Sequence, residues 1–244
     1  MTTTSAFSTT MFGFFSTVTE TRNQALIIVS RSFPGVMKHL SSACFVEGSG
    51  PKCEDRAEIF IREPVVVGVV ADGVGGTAGG AAAANLVVEE VRLAFELGSN
   101  LLDPIVCKQL LLECAAKLEA EAIGQTTAVI LATNRKEIAG ASVGDSVAWL
   151  IGTEGWSDLT EGQPRKPLLG ESRVNPLAIT SKLSSGDALL LATDGLVKYV
   201  PPERIWAAVQ RHLGVDETCA EFVRLARLPN GSLQDDVGLV IMRM

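Results

Sequence analysis

The sequence predicts an α+β fold in which antiparallel sheets are covered by pairs of helices. Three observations carry this. Apolar segments of strand length come in consecutive runs, as antiparallel neighbours do. Helical segments come as two consecutive pairs, one in the middle of the chain and one near its end. After Ser41 there is neither an internal repeat nor a Pro/Gly/Ser-rich linker, so residues 41–244 read as one domain.

Residues 43–46 and 57–62 read as strands around the turn Glu47-Gly48-Ser49-Gly50-Pro51. Residues 65–71 are almost all Val, broken once by Gly68, the pattern of a strand buried on both faces. A helix is expected over 78–97, because Ala84, Val87, Val88, Val91 and Phe95 share one face and Gly98 suits its C-terminus. A second helix starts from Asp103 as N-cap with Pro104 at its first position. Cys107, Leu110, Leu111, Cys114 and Leu118 make its apolar stripe, so both thiols read as core. Strands follow at 127–133, 137–143 and 147–151, then a polar excursion over 152–175. Strands at 177–181 and 188–193 flank the turn Ser184-Ser185-Gly186-Asp187. Short helices are expected at 202–213 and 217–227, the second capped by Asp216, and a final strand at 237–241.

Residues 1–40 differ from the rest. Residues 1–21 are dominated by Thr and Ser, and up to Leu40 the acid is Glu20, against Arg22, Arg31 and Lys38. This stretch reads as an N-terminal extension, either flexible or an organelle transit peptide, which is Ser-rich, Arg-bearing and acid-poor. The expected compartment is therefore intracellular: cytoplasmic, or mitochondrial or plastid if the extension is a transit peptide.

Composition excludes several classes. With 47% hydrophobic and 20% charged residues in 244, the chain is not mainly disordered. No apolar run approaches the roughly 18 residues of a membrane span. A net charge of −7 disfavours a nucleic-acid partner. Five cysteines without a CxxC pair are no disulfide framework and fit a reducing compartment. Two histidines leave no basis for a His-rich zinc site, so metal chemistry would use carboxylates, which favour hard ions such as Mg or Mn.

Carboxylates stand at strand ends. Asp72 follows the Val-rich strand, Asp194 follows the strand at 188–193, and Asp235 precedes the last strand. Glu54-Asp55 precedes the strand at 57–62, and Asp145 lies in the turn Gly144-Asp145-Ser146. Acids held on rigid backbone at one sheet rim would repel one another, and a divalent cation relieves that repulsion. Taken singly, each is also an ordinary turn residue, Asp before Gly above all. Gly73-Val74-Gly75-Gly76-Thr77-Ala78 also fits a dinucleotide-binding glycine pattern. Against that, Asp72 would repel the pyrophosphate, and a helix follows where the second strand and its acid should be.

The ordered set Glu54-Asp55, Ala71-Asp72-Gly73-Val74-Gly75-Gly76, Gly124-Gln125-Thr126-Thr127-Ala128, Gly144-Asp145-Ser146, Ala192-Thr193-Asp194-Gly195 and Asp235-Asp236 resembles the metal-dependent PPM/PP2C family of protein serine/threonine phosphatases. The resemblance covers about residues 42–244. It implies a four-layer αββα sandwich, two antiparallel sheets flanked by helix pairs. It implies two Mn or Mg ions: Asp72 bridging them, the Gly73 carbonyl assisting, Asp194 and Asp235 completing the first, Glu54 and Asp55 holding the second. Asp145 matches the position of a weaker third ion, shared with Asp194. The implied reaction is hydrolysis of phosphoserine or phosphothreonine in proteins by a metal-bridging water, with Asp72, Asp194 and Asp235 as the catalytic acids. The implied partners are phosphorylated proteins and a cognate serine/threonine kinase pathway, without nucleic acid or membrane.

The sequence departs from the family pattern at three places. The Arg that holds the substrate phosphate is replaced by Gly50, with Lys52 nearby as a candidate substitute that lacks the bidentate fork. Val74 stands where many eukaryotic members have His, and Asp236 where Asn is usual. These departures keep open a second reading, a weak or inactive phosphoprotein-binding regulator of the same fold. Arg165, Lys166 and Arg173 lie in the segment matching the family's substrate-selecting flap.

Overall fold

The computed structural model describes residues 17–21, 24–28, 40–74 and 79–244. Among them the strands are β1 (Thr17–Thr21), β2 (Gln24–Ile28), β3 (Ser41–Glu47), β4 (Arg56–Arg62), β5 (Val65–Ala71), β6 (Ala128–Thr133), β7 (Glu137–Val143), β8 (Val147–Gly152), β9 (Gly155–Asp158), β10 (Leu177–Lys182), β11 (Ala188–Ala192) and β12 (Val237–Arg243). The helices are α1 (Gly80–Glu96), α2 (Pro104–Ala120), α3 (Asp194–Val197), α4 (Pro202–Val209) and α5 (Val215–Ala226).

The strands form a seven-stranded sheet, β1-β2-β3-β12-β11-β8-β9, and a five-stranded sheet, β10-β7-β6-β5-β4. The pairings are antiparallel, with β5 running in register from Arg56 opposite Ala71 to Arg62 opposite Val65. The sheets meet through Cys44, Val66, Val70, Leu131, Leu191 and Val240. Gly68 sits where the sheets press together: a Cβ there would lie 2.7 Å from Met242 Cε and 2.9 Å from Val240 Cγ1. The run of Val in β5 is thus explained. One face packs on the other sheet, and the other face, with Val67 and Val69, packs under α1 and α2.

Helices α1 and α2 cover the five-stranded sheet with Ala84, Val87, Val91, Leu111, Cys114 and Leu118. Asp103 caps α2 as expected, its Oδ1 accepting a 2.9 Å hydrogen bond from Ile105 N. Helices α4 and α5 cover the seven-stranded sheet with Ile205, Ala208, Cys219 and Phe222. The result is the expected αββα sandwich.

Four local expectations are corrected. Asp216 is not the cap of α5. Gly214 is, in extended conformation, and its N donates to Glu217 Oε2 at 3.2 Å, which places Asp216 inside the first turn. The polar excursion contains β9, an edge strand paired with β8. Strand β11 ends at Ala192, one residue short of the expected Thr193, and Asp194 behind it begins the short helix α3, which was not expected. Helix α4 stops at Val209, and His212 just beyond it has a left-handed backbone with φ 53°. The segment read as an extension contributes β1 and β2, and β2 pairs with β3 at the sheet edge. The remainder of the stretch read as a transit peptide lies outside the described residues.

Candidate functional site

The ends of β5, β6 and β11, the β7–β8 turn and the loop before β12 converge at one rim of the sandwich. Asp72 is fixed there by its backbone. Its carbonyl accepts from Thr126 Oγ1 and Thr127 N, both at 2.9 Å, and its N donates to Thr127 Oγ1 at 3.0 Å. Thr127 Oγ1 and Ser146 Oγ are 2.7 Å apart, which ties the turn bearing Asp145 to the segment bearing Asp72. Thr126, Thr127 and Ser146 are buried, so these bonds are shielded from competing water. Gly73 N donates to Glu54 O at 3.3 Å, and a Cβ on Gly73 would lie 2.3 Å from Gly80 O. Only glycine lets β5, α1 and the Glu54 loop come this close. Gly75 and Gly76 lie outside the described residues.

The Glu54 loop is held from the other sheet. Asp236 Oδ2 accepts from Glu54 N at 2.7 Å, and its Oδ1 accepts from Ser49 N at 2.7 Å and Ser49 Oγ at 3.0 Å. Asp236, where Asn is usual, is therefore a loop clamp, a role its place in the sequence does not foretell. Gly195 packs on the same residue: a Cβ there would lie 1.8 Å from Asp236 O. Asp55 is 2% exposed, and its Oδ2 has no hydrogen-bond partner among the described residues.

The acids feel one another. Burial raises Asp55 well above the ordinary carboxylate range; Asp72 adds to this, a hydrogen bond from Thr193 opposes it, and Asp236 and Asp194 add further. Asp72 is pushed up to about 7, first by burial and then by Asp194, Asp145 and Asp235. Asp194 is raised by burial, and Lys198 partly counters the rise. Five of the expected site acids, Asp55, Asp72, Asp145, Asp194 and Asp235, thus share one field. The Glu54 carboxylate lies at the start of α1, its Oε1 3.0 Å from the position a Gly80 Cβ would take. Lys52 is exposed on the loop before it.

Two basic residues do reach the acids. Lys198 Nζ lies 3.6 Å from Asp194 Oδ2 and 3.8 Å from Asp235 Oδ2, and Arg165 Nε lies 3.7 Å from Asp145 Oδ2. Lys198 was not legible beforehand, because its i,i+4 relation to Asp194 appears only once α3 is known. A cleft of about 390 Å³ opens beside these groups, lined among others by Asp145, Ser146, Arg165, Asp194 and Lys198.

Among the described residues no three His, Cys, Asp or Glu side chains close on a single point at metal-ligating spacing. The donor chemistry nevertheless fits hard divalent cations: every converging acid offers oxygen, and the buried Oδ2 of Asp55 is unpartnered. Burial and then the nearby Asp236 and Asp55 push the Cys53 thiol, next to Glu54, up to about 12, so it stays neutral in the metal-free chain.

A family model described as stage II sporulation protein E (SpoIIE) matches residues 64–244. No curated protein matches the chain by sequence. Among solved structures, a bacterial serine phosphatase is similar at 23% identity and TM-score 0.73, over 84% of this chain and 97% of that one. Stp1, a serine/threonine phosphatase from Staphylococcus aureus, is similar at 22% identity and TM-score 0.74, over 88% and 99%. The catalytic domain of the serine/threonine phosphatase PstP, a structure with 2 manganese ions, is similar at 24% identity and TM-score 0.68, over 84% and 97%. The fold of this chain is that of the PP2C-like phosphatases.

Proposed function

The chain belongs to the SpoIIE family, and from that premise we propose that it is a Mn- or Mg-dependent phosphatase acting on phosphoserine or phosphothreonine in proteins. The observation that carries this is geometric: Asp55, buried with an unpartnered Oδ2 among the described residues, meets Asp72, Asp145, Asp194 and Asp235 at one rim. Acids so placed lack positive charge, and two divalent ions supply it. Asp72, Asp194 and Asp235 would hold the first ion and Asp72, Glu54 and Asp55 the second, with the Gly73 carbonyl assisting. Asp145 would serve a weaker third with Asp194. When bound, the ions neutralise the phosphate and activate a water for in-line attack.

The chain's own residues do the positioning. Thr126 and Thr127 fix the Asp72 backbone, Ser146 fixes the turn of Asp145, and Asp236 fixes the loop of Glu54 and Asp55. Asp72, Asp145 and the Glu54–Asp55 pair are thereby set before substrate arrives, which is where preorganised electrostatics gains its effect. The cleft beside Asp145 and Asp194 would admit the phosphorylated segment, Arg165 and Lys198 line it, and Lys52 remains the candidate substitute for the phosphate-binding Arg.

The relatives' printed activities suggest phosphorylated proteins as partners, with a cognate serine/threonine kinase pathway. Residues 41–244 are the proposed catalytic domain and residues 1–40 its extension. No helix among the described residues is long and apolar enough to cross a membrane. Five cysteines without a CxxC pair suit a reducing intracellular compartment: the cytoplasm, or a mitochondrion or plastid if residues 1–40 are removed as a transit peptide.

The test is hydrolysis of p-nitrophenyl phosphate and a phosphothreonine peptide with Mn and then with EDTA. Turnover is expected with Mn and lost with EDTA; turnover that survives EDTA contradicts the mechanism. Gly50 at the phosphate-binding position favours a second reading, a phosphoprotein-binding regulator. Phosphopeptide binding without turnover in Mn would select it.

A further inference from the structure

Lys198 follows Asp194 by one turn of α3, so its side chain rises over the same rim. Its ammonium lies 3.6 Å from Asp194 and 3.8 Å from Asp235. Those carboxylates come from different elements, the start of α3 and the loop before β12. One flexible side chain therefore bridges two of the segments that meet at the site. The side chain is 52% exposed and lines the cleft, so solvent is open to it when it withdraws. The Tyr199 ring, 5.4 Å from Nζ, offers a face toward which the cation can move.

We propose that Lys198 is a resident counter-ion of this site: its ammonium neutralises Asp194 and Asp235 in the metal-free chain and gives way when a divalent cation takes those carboxylates. Without such a charge the two acids would add unrelieved repulsion to a cluster already crowded with Asp72 and Asp145. An exposed lysine pair is weak and easily exchanged, and its four-carbon stem lets the charge leave without moving the backbone. Lys198 therefore competes with the ion it precedes. The first half of this inference stands on the ion pairs alone; the second rests on the function proposed above.

The test combines calorimetric Mn titration of the metal-free full chain with melting in EDTA, for wild type, Lys198→Met and Lys198→Arg. Lys198→Met is expected to bind Mn roughly two- to five-fold more tightly, the range of an exposed ion pair. In EDTA it is expected to melt about 1–4 °C lower than wild type. Lys198→Arg, which keeps the charge, should stay near wild type in EDTA. Lys198→Met with Mn affinity not tightened, or with EDTA melting not lowered, overturns the proposal. Wild type that binds no Mn defeats the proposed cation dependence instead; the counter-ion then stands or falls on the EDTA melts.

Discussion

Asp55 and Asp194 belong to one cluster but are neutralised differently. Asp55 is buried, and its Oδ2 meets no partner among the described residues. Asp194 is more open and is paired with Lys198, as Asp145 is with Arg165. Among the described residues no basic side chain is paired with Asp55, whereas the outer acids Asp194 and Asp145 have a cation of the chain beside them. Burial accounts for the difference. A lysine stem can reach the rim and keep its ammonium in water, but it cannot follow Asp55 under the sheet without losing hydration.

The sharpest way to break this comparison is to remove an inner acid. Asp72→Ala should lower phosphatase turnover at least about 100-fold, more than loss of an outer-shell partner usually costs. Arg165→Ala, at the outer edge, should leave turnover within a few-fold of wild type. Comparable losses in the two variants would erase the distinction.

Next in size is the packing that brings the outer acid to the rim. Gly195→Ala places a Cβ 1.8 Å from the Asp236 carbonyl, a clash with backbone that no rotamer relieves. It should destabilise the fold by about 1–3 kcal/mol, seen as a lower urea midpoint with unchanged slope.

A gentler probe is charge removal at the inner acid without metal. Asp55→Asn should stabilise the EDTA-treated protein at pH 8 by about 1–3 kcal/mol, the scale of a buried group left unsatisfied. It should weaken Mn binding at the same time. Stabilisation in EDTA without loss of Mn affinity would separate Asp55 from the ion.

The pH dependence gives the sign of the same effect. Asp55, Asp72 and Asp194 all have folded values raised above the ordinary carboxylate value. A raised acid contributes stability below its unfolded value and loses it as pH rises through its folded value. For Asp72 that window runs from 3.8 to about 7. Melting of the metal-free protein should therefore fall as pH rises across this window, and the fall should be shallower in Asp72→Asn. The smallest effect belongs to the outermost pair: Arg165→Ala should change stability by less than about 1 kcal/mol, because Arg165 is 79% exposed.

Much of the fold could be read in advance where one residue type left a single physical option. The Val run of β5 could only be a strand buried on both faces, and Asp103-Pro104 could only open a helix. The α5 cap was misread because Asp is the better cap by type; the structure uses Gly214 and lets Glu217 reach back to it. Strand β9 escaped because Trp156, Ser157 and Asp158 are exposed along a sheet edge, so no alternation marks it. Strand β1 lies in the Thr-rich stretch that carried no apolar alternation, and β2 is a short apolar run, Gln24–Ile28, standing alone beside it.

The acids that converge at this rim were legible as candidates through their order along the chain. What stood outside the sequence was which of them meet and what faces them. Asp236 as a clamp on Ser49 and Glu54, the Thr127–Ser146 link and Lys198 over Asp194 and Asp235 all depend on contacts between distant segments or on the turn of α3.

The most direct measurement is a crystal grown with Mn and read for anomalous density at this rim. The account expects one ion touching Asp72, Asp194 and Asp235 and a second touching Asp72 and the Glu54-Asp55 pair, with Lys198 swung away from both carboxylates. Mn density confined to other surfaces, with Asp55 Oδ2 still unpartnered and Lys198 still between Asp194 and Asp235, would contradict it.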